Sequence, residues 1–177
     1  MKSRLRAIAA LAVLVLALAA CGDDEDSSSD DGSTTEAAAP ADGVGAAAGD
    51  TDLNQKPVIE SPGGDPPGAF VVEDIVVGKG REAKLGDAVE VQYVGVDYES
   101  GEQFDASWDR GEPFPFTLGA GMVIPGWDQG IEGMRVGGRR ELIIPPDLAY
   151  GPQGQPPAIG PNATLIFVVD LLDVRPG

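Results

Sequence analysis

Histidine is absent from the 177-residue chain, and cysteine occurs once, as Cys21. The first absence removes Ser-His and Cys-His nucleophile pairs and most zinc and iron sites. The second leaves no internal disulfide. Positive charge is scarce: 12 Lys and Arg stand against 29 Asp and Glu, for a net charge of −17. Such a chain is no partner for nucleic acid, whose phosphates are neutralised by Lys and Arg. Aromatics make up only 6%. What remains for chemistry is carboxylates, tyrosine, a few cations and shaped apolar surface, so neither a metal nor a cofactor is expected. Glycine (25) and proline (15) are plentiful and predict many turns.

Residues 1–20 read as a targeting segment. Lys2, Arg4 and Arg6 precede an apolar run from Ala7 to Ala20 that is too short to span a bilayer comfortably. The run closes Leu18-Ala19-Ala20-Cys21, which resembles a bacterial lipobox. That resemblance implies cleavage before Cys21, a lipid on Cys21, and attachment to the extracytoplasmic face of a bacterial cell membrane by the lipid anchor alone. A plain secretory signal with an incidental cysteine is the alternative. Residues 21–57 form an acidic, low-complexity linker with ten acids against Lys56 alone, and are expected to stay disordered and extended. A solvated tether is favoured over weak calcium binding, because no fixed cage of oxygens is implied.

A folded domain is expected over 58–177, itself acidic with 19 acids and 8 bases. Phe70–Val77 is β-rich and ends on a Gly-Lys-Gly turn. Val89, Val91 and Tyr93 alternate with polar residues; after Gly95 the alternation shifts to Val94, Val96 and Tyr98, which predicts a bulge. Gln103–Asp105, Phe114–Leu118 and Arg139–Ile144 read as strands, and Thr164–Leu172, apolar on both faces, as a central one. Trp127, Ile131 and Met134 share one face of a short helix that starts at Pro125 and is expected to stop at Gly137-Gly138. The fold class is therefore α+β: a twisted antiparallel sheet of about five strands around one short helix. Pro145–Asn162 is a long Pro/Gly-rich loop of the kind that is functional or disordered. The central ambiguity is Trp127, which by position alone is either core or the floor of an apolar cup.

Six segments in one order are similar to the FKBP family of macrolide-binding peptidyl-prolyl isomerases. They are Val91-Gln92-Tyr93-Val94-Gly95, Gly101-Glu102-Gln103-Phe104-Asp105-Ala106-Ser107, Pro113-Phe114-Pro115-Phe116, Val123-Ile124-Pro125-Gly126-Trp127-Asp128-Gln129-Gly130, Ile144-Pro145-Pro146-Asp147-Leu148-Ala149-Tyr150-Gly151 and Ala163-Thr164-Leu165-Ile166-Phe167. The resemblance implies that fold and an isomerase that acts on proline-containing polypeptides and is open to macrolide inhibitors. It implies catalytic positions at Tyr93, Phe104, Asp105, Ile124, Trp127, Tyr150 and Phe167. Substrate-binding positions are implied at Phe114, Val123, Arg110, Ala158 and Ile159. Trp127 would be the floor, the Ile124 amide and the Tyr150 hydroxyl would each bond a ligand carbonyl, and Arg110 would pair with Asp105.

Such a site needs no proton transfer. Rotation about a peptide bond costs about 18–20 kcal/mol because resonance is lost, and at Xaa-Pro only the rate is a problem. The planar amide is more polar than the twisted one, so a dry cup disfavours the planar state. Gln155 and Ala158 depart from the familiar pattern at the rim, where the family often has His and Ile, which bears on macrolide affinity and peptide preference. A non-catalytic peptide-binding or chaperone module of the same fold is the alternative reading.

Overall fold

The computed structural model describes residues 51–177. The expected signal peptide, the lipidated Cys21 and most of the acidic linker lie outside the described residues. Among the described residues no helix is long and apolar enough to cross a membrane.

The chain runs β1 (Val71–Val76), β2 (Ala88–Asp97), β3 (Gln103–Ala106), α1 (Ser107–Arg110), β4 (Phe114–Thr117), α2 (Pro125–Ile131), β5 (Gly138–Ile144) and β6 (Leu165–Arg175). The sheet has six strands in the order β1-β5-β6-β2-β3, and β4 also pairs with β2. The expectation of about five strands is thus one short, because β3 and β4 share one edge of β2. β3 pairs with Val94–Val96 and β4 with Ala88–Val91. All the ladders among the described strands are antiparallel. A register irregularity between Gly95 and Val96 sits where the alternation shifts. β6 is central, as its apolar faces require.

The two faces of the sheet form separate cores. On the inner face Val89, Val91, Tyr93, Leu142, Ile144, Leu165, Phe167, Val169 and Leu171 pack with Trp127 and Ile131 of α2. On the outer face Val94, Val96, Tyr98, Ile143, Ile166 and Val168 pack with Ile59. Period-two alternation along β2, β5 and β6 sends successive residues to opposite cores.

Helix α2 lies close on β5 because its contact points are glycines. A Cβ on Gly126 would stand 2.5 Å from Ile144, and one on Gly130 would stand 2.6 Å from Leu142. Pro125 opens α2 at a position where no backbone donor is needed. The helix ends at Ile131, six residues before the expected Gly137-Gly138 stop. Gly133 takes φ +78° and gives its N–H to the Ala83 carbonyl, while Met134 turns back to Ile131. Met134 still reaches the inner core, so the face is right although the helix is shorter.

Residues 52–61 lie along the outer face as a strap. The Ser61 hydroxyl donates to the Tyr98 carbonyl at 2.7 Å, Ile59 is buried, and Arg139 Nη2 donates to the Gln55 carbonyl at 3.0 Å. The boundary expected between residues 57 and 58 therefore runs through a packed segment. Beneath the strap Arg139 and Asp170, both buried, pair in bidentate fashion at 2.6 and 2.8 Å.

Candidate active site

An apolar concavity of about 510 Å³ opens on the inner face, between the sheet, α2 and the loop after β5. It is lined by Tyr93, Phe104, Asp105, Phe114, Val123, Ile124, Trp127, Tyr150, Ala158, Ile159 and Phe167, all anticipated from the sequence. Arg110 is the one anticipated residue not on the lining; it stands behind Tyr93 and Asp105. Met122, Gln155, Pro156 and Pro157 complete the rim.

Trp127 sits at the centre of a ring cluster. Its indole meets Tyr93 edge-on at 4.9 Å and Phe167 at 5.3 Å, with Phe116 at 5.8 Å and Phe114 at 6.2 Å. Such edge-to-face pairs favour one fixed arrangement of rings. The question of core or floor has a double answer: Trp127 is 4% exposed and packs as core, yet that remaining surface belongs to the cup. Its indole N–H is buried without a partner. Gly95 permits the wall: a Cβ there would stand 2.7 Å from both the Phe104 and the Phe167 rings, which meet at 5.5 Å.

The polar edge of the cup is a closed triangle. The Tyr93 hydroxyl donates to Asp105 Oδ2 at 2.5 Å. Arg110 donates Nη1 to Asp105 Oδ1 and Nη2 to the Tyr93 hydroxyl, the latter at 2.9 Å. Its guanidinium also lies 5.5 Å from the Tyr93 ring centre. Burial, aided by Asp105, pushes the Tyr93 phenol up to about 12, so it stays a donor. The hydrogen bond to Tyr93 holds the Arg110 guanidinium more firmly protonated than usual.

Two hydrogen-bonding groups on the cup are unused. Neither the Tyr150 hydroxyl nor the Ile124 N–H has a partner among the described residues. Burial raises the Tyr150 phenol, which keeps its proton. Ile124 precedes α2 in extended conformation, and its carbonyl already accepts from Trp127 N at 2.9 Å. The long loop is ordered by two short 3₁₀ turns and by paired backbone bonds between Gln155 and Ile159, so Pro156, Pro157 and Ala158 form a hairpin tip over the cup.

Sequence reasoning missed α1, the one-turn helix after β3. Ser107 is fully buried; its hydroxyl accepts from Tyr93 N at 2.8 Å and donates to the Gln92 side chain. Its position in the Phe104-Asp105-Ala106-Ser107 segment was visible. Four residues carry no periodicity, so the helix itself was not.

An antiparallel sheet wrapped on one helix, with a ring-walled cup on which two donors have no partner among the described residues, defines a class of protein with room for a short apolar segment. The family of FKBP-type peptidyl-prolyl cis-trans isomerases matches residues 79–172. The FK506-binding protein of Streptomyces anulatus is 56% identical over 121 residues, covering 68% of this chain and 98% of that one. A peptidyl-prolyl cis-trans isomerase of Saccharomyces cerevisiae is 51% identical over 104 residues, covering 59% and 74%. Among solved structures, FkpA from Escherichia coli is similar with TM-score 0.56 and 47% identity, over 60% of this chain and 48% of that chain. The chain belongs to the FKBP-type peptidyl-prolyl cis-trans isomerase family, and its activity is rotation about Xaa-Pro bonds.

Proposed function

We propose that catalysis takes place in the aromatic cup, with the proline ring on Trp127 between Tyr93, Phe104, Phe114 and Phe167. The observation that carries this reading is a ring-walled concavity in which the Tyr150 hydroxyl and the Ile124 N–H have no partner among the described residues. These two donors take up substrate carbonyls as the bond turns. The apolar walls remove the water that favours the planar, more polar amide. Asp105, fixed by Tyr93 and Arg110, is an acceptor at the edge of the cup. Each 1.36 kcal/mol taken from the barrier is about tenfold in rate. Proline-containing polypeptides are the substrates. A macrolide of the kind named for the FK506-binding relatives is a competitor for the same surface.

The test is cis-to-trans conversion of a proline-containing tetrapeptide, with and without the macrolide. Acceleration over buffer, abolished by the macrolide, is expected. Acceleration that the macrolide leaves untouched argues against the cup as its seat.

The chain is further read as a lipoprotein anchored through Cys21 at the extracytoplasmic face of a bacterial membrane. Support comes from the basic start, the apolar run and the one cysteine of the chain closing Leu18-Ala19-Ala20-Cys21. Cys21→Ser is expected to move the protein from the membrane fraction to the soluble one. Unchanged partition would count against the anchor.

A further inference from the structure

Helix α1 has four residues, no side-chain cap and a left-handed Gly111 at its end. One turn cannot hold itself in water. Its orientation is set by what its side chains grip, and each of the four grips something different. Ser107 is bound into β2. Trp108 packs on the outer core. Arg110 holds Asp105 and Tyr93. Asp109, next to Arg110, has both carboxylate oxygens occupied: Oδ1 by Lys56 Nζ at 2.6 Å and Oδ2 by Gln103 Nε2 at 2.8 Å.

Lys56 belongs to the strap, and its backbone is pinned on both sides. Gln55 before it accepts from the buried Arg139, while Pro57 and Ile59 after it are buried. Gln103 opens β3, the strand that carries Asp105. Asp109 is thus a three-way junction between the strap, α1 and β3. The Lys56 and Gln103 hydrogen bonds hold its carboxyl below the usual range.

We propose that Lys56 is a positioning residue for the isomerase: through Asp109 it fixes the end of α1 from which Arg110 orients Asp105 and Tyr93. This rests on the reading of the cup as the catalytic site. An exposed pair such as Lys56–Asp109, with side chains 35% and 53% accessible, adds little to stability. Its effect is geometric, because a catalytic group tolerates little displacement. The strap also lies outside the 79–172 span that matches the family, so the sheet and cup do not by themselves include this brace.

The experiment measures kcat and KM of the full chain on the tetrapeptide, for Lys56→Met, Lys56→Arg, Asp109→Ala and the Lys56→Met/Asp109→Ala double variant. Met keeps the apolar stem and removes the charge. We expect kcat to fall about threefold in Lys56→Met and Asp109→Ala with KM little changed, on the scale of an exposed ion pair. Lys56→Arg retains wild-type kcat. The double variant falls no further than Asp109→Ala alone, because that change already removes the Lys56 link together with the Gln103 one. Wild-type kcat in both single variants overturns the proposal, as do losses that multiply in the double variant. Asp105→Val in the same assay reports on the cup itself: if it too is fully active, the site reading has failed rather than the brace.

Discussion

The two faces of the sheet are built from the same strands and solve opposite problems. On the outer face β2, β5 and β6 present aliphatic residues beside Tyr98 and the buried Arg139–Asp170 pair, and the 52–61 strap closes them over. On the inner face β2 and β6 add Tyr93 and Phe167 to their aliphatic residues, β3, β4 and α2 bring Phe104, Phe114, Phe116 and Trp127, and α2 covers only part of this surface. The remainder is the cup. Rigid rings meeting edge to face keep a concavity open where flexible aliphatic chains would fill it. An unfilled core is tolerable on one face because the other is fully closed.

The contrast can be broken most severely from the outer side. Arg139→Ala leaves Asp170 buried without its bidentate partner, and removal of one member of a buried pair costs about 3–5 kcal/mol. Denaturant unfolding reads this loss; because Arg139 also pins the strap at Gln55, kcat per folded molecule is expected to fall no further than in Lys56→Met. A loss under about 1 kcal/mol would mean the outer face does not depend on the pair.

On the inner side Gly95→Ala drives a Cβ into the Phe104 and Phe167 rings. Overpacking of this kind costs about 1–3 kcal/mol. Here stability and kcat/KM are expected to fall together. Unchanged kcat/KM would mean that the Phe104–Phe167 wall does not shape the reaction.

Asp105→Val is the inverse of the outer-face variant. It removes the half-buried edge of the cup and little of the core, so kcat/KM is expected to fall about tenfold, near 1.4 kcal/mol, while the unfolding midpoint holds. Full activity in the folded variant would remove Asp105 from the site.

The smallest effect is one of pH. The Tyr93 phenol is raised to about 12 in the folded chain against an ordinary value near 10. Between those values the unfolded state has lost the proton and the folded state keeps it, so stability falls as pH rises through this window. The contribution is fully present below pH about 10. Tyr93→Phe is expected to flatten the melting temperature between pH 10 and 12; an unchanged slope would assign the loss to other groups.

Much of this was legible in the residues. Alternation at Val89–Tyr93 and its shift after Gly95 specified the two faces, and the apolar run at Leu165–Leu171 specified a central strand. The lining of the cup followed from resemblance at Tyr93, Phe104, Ile124, Trp127, Tyr150 and Phe167; periodicity alone left Trp127 undecided. Residues 52–57 of the strap fall in the expected linker because Pro57 and the acids before it carry no periodic signal. The strap's order comes from Ile59 and Ser61 meeting partners on β2, β5 and β6 that are distant in sequence. Met122, exposed and unassigned, became part of the rim only when the 155–159 tip folded opposite it.

The sequence by itself determined the class of chemistry. With no histidine and little positive charge, the domain was left with carboxylates, tyrosine and apolar surface, and the resemblance of its ring-bearing motifs pointed to non-covalent isomerisation. Only the tertiary structure brought the Tyr93 hydroxyl into the Asp105–Arg110 pair that the resemblance implies. The Tyr93 hydroxyl donates to Asp105 and accepts from Arg110, whereas the Tyr150 hydroxyl and the Ile124 N–H have no partner among the described residues. Tyr93 stands 12 positions from Asp105 and 17 from Arg110, a contact that no local pattern of side chains encodes.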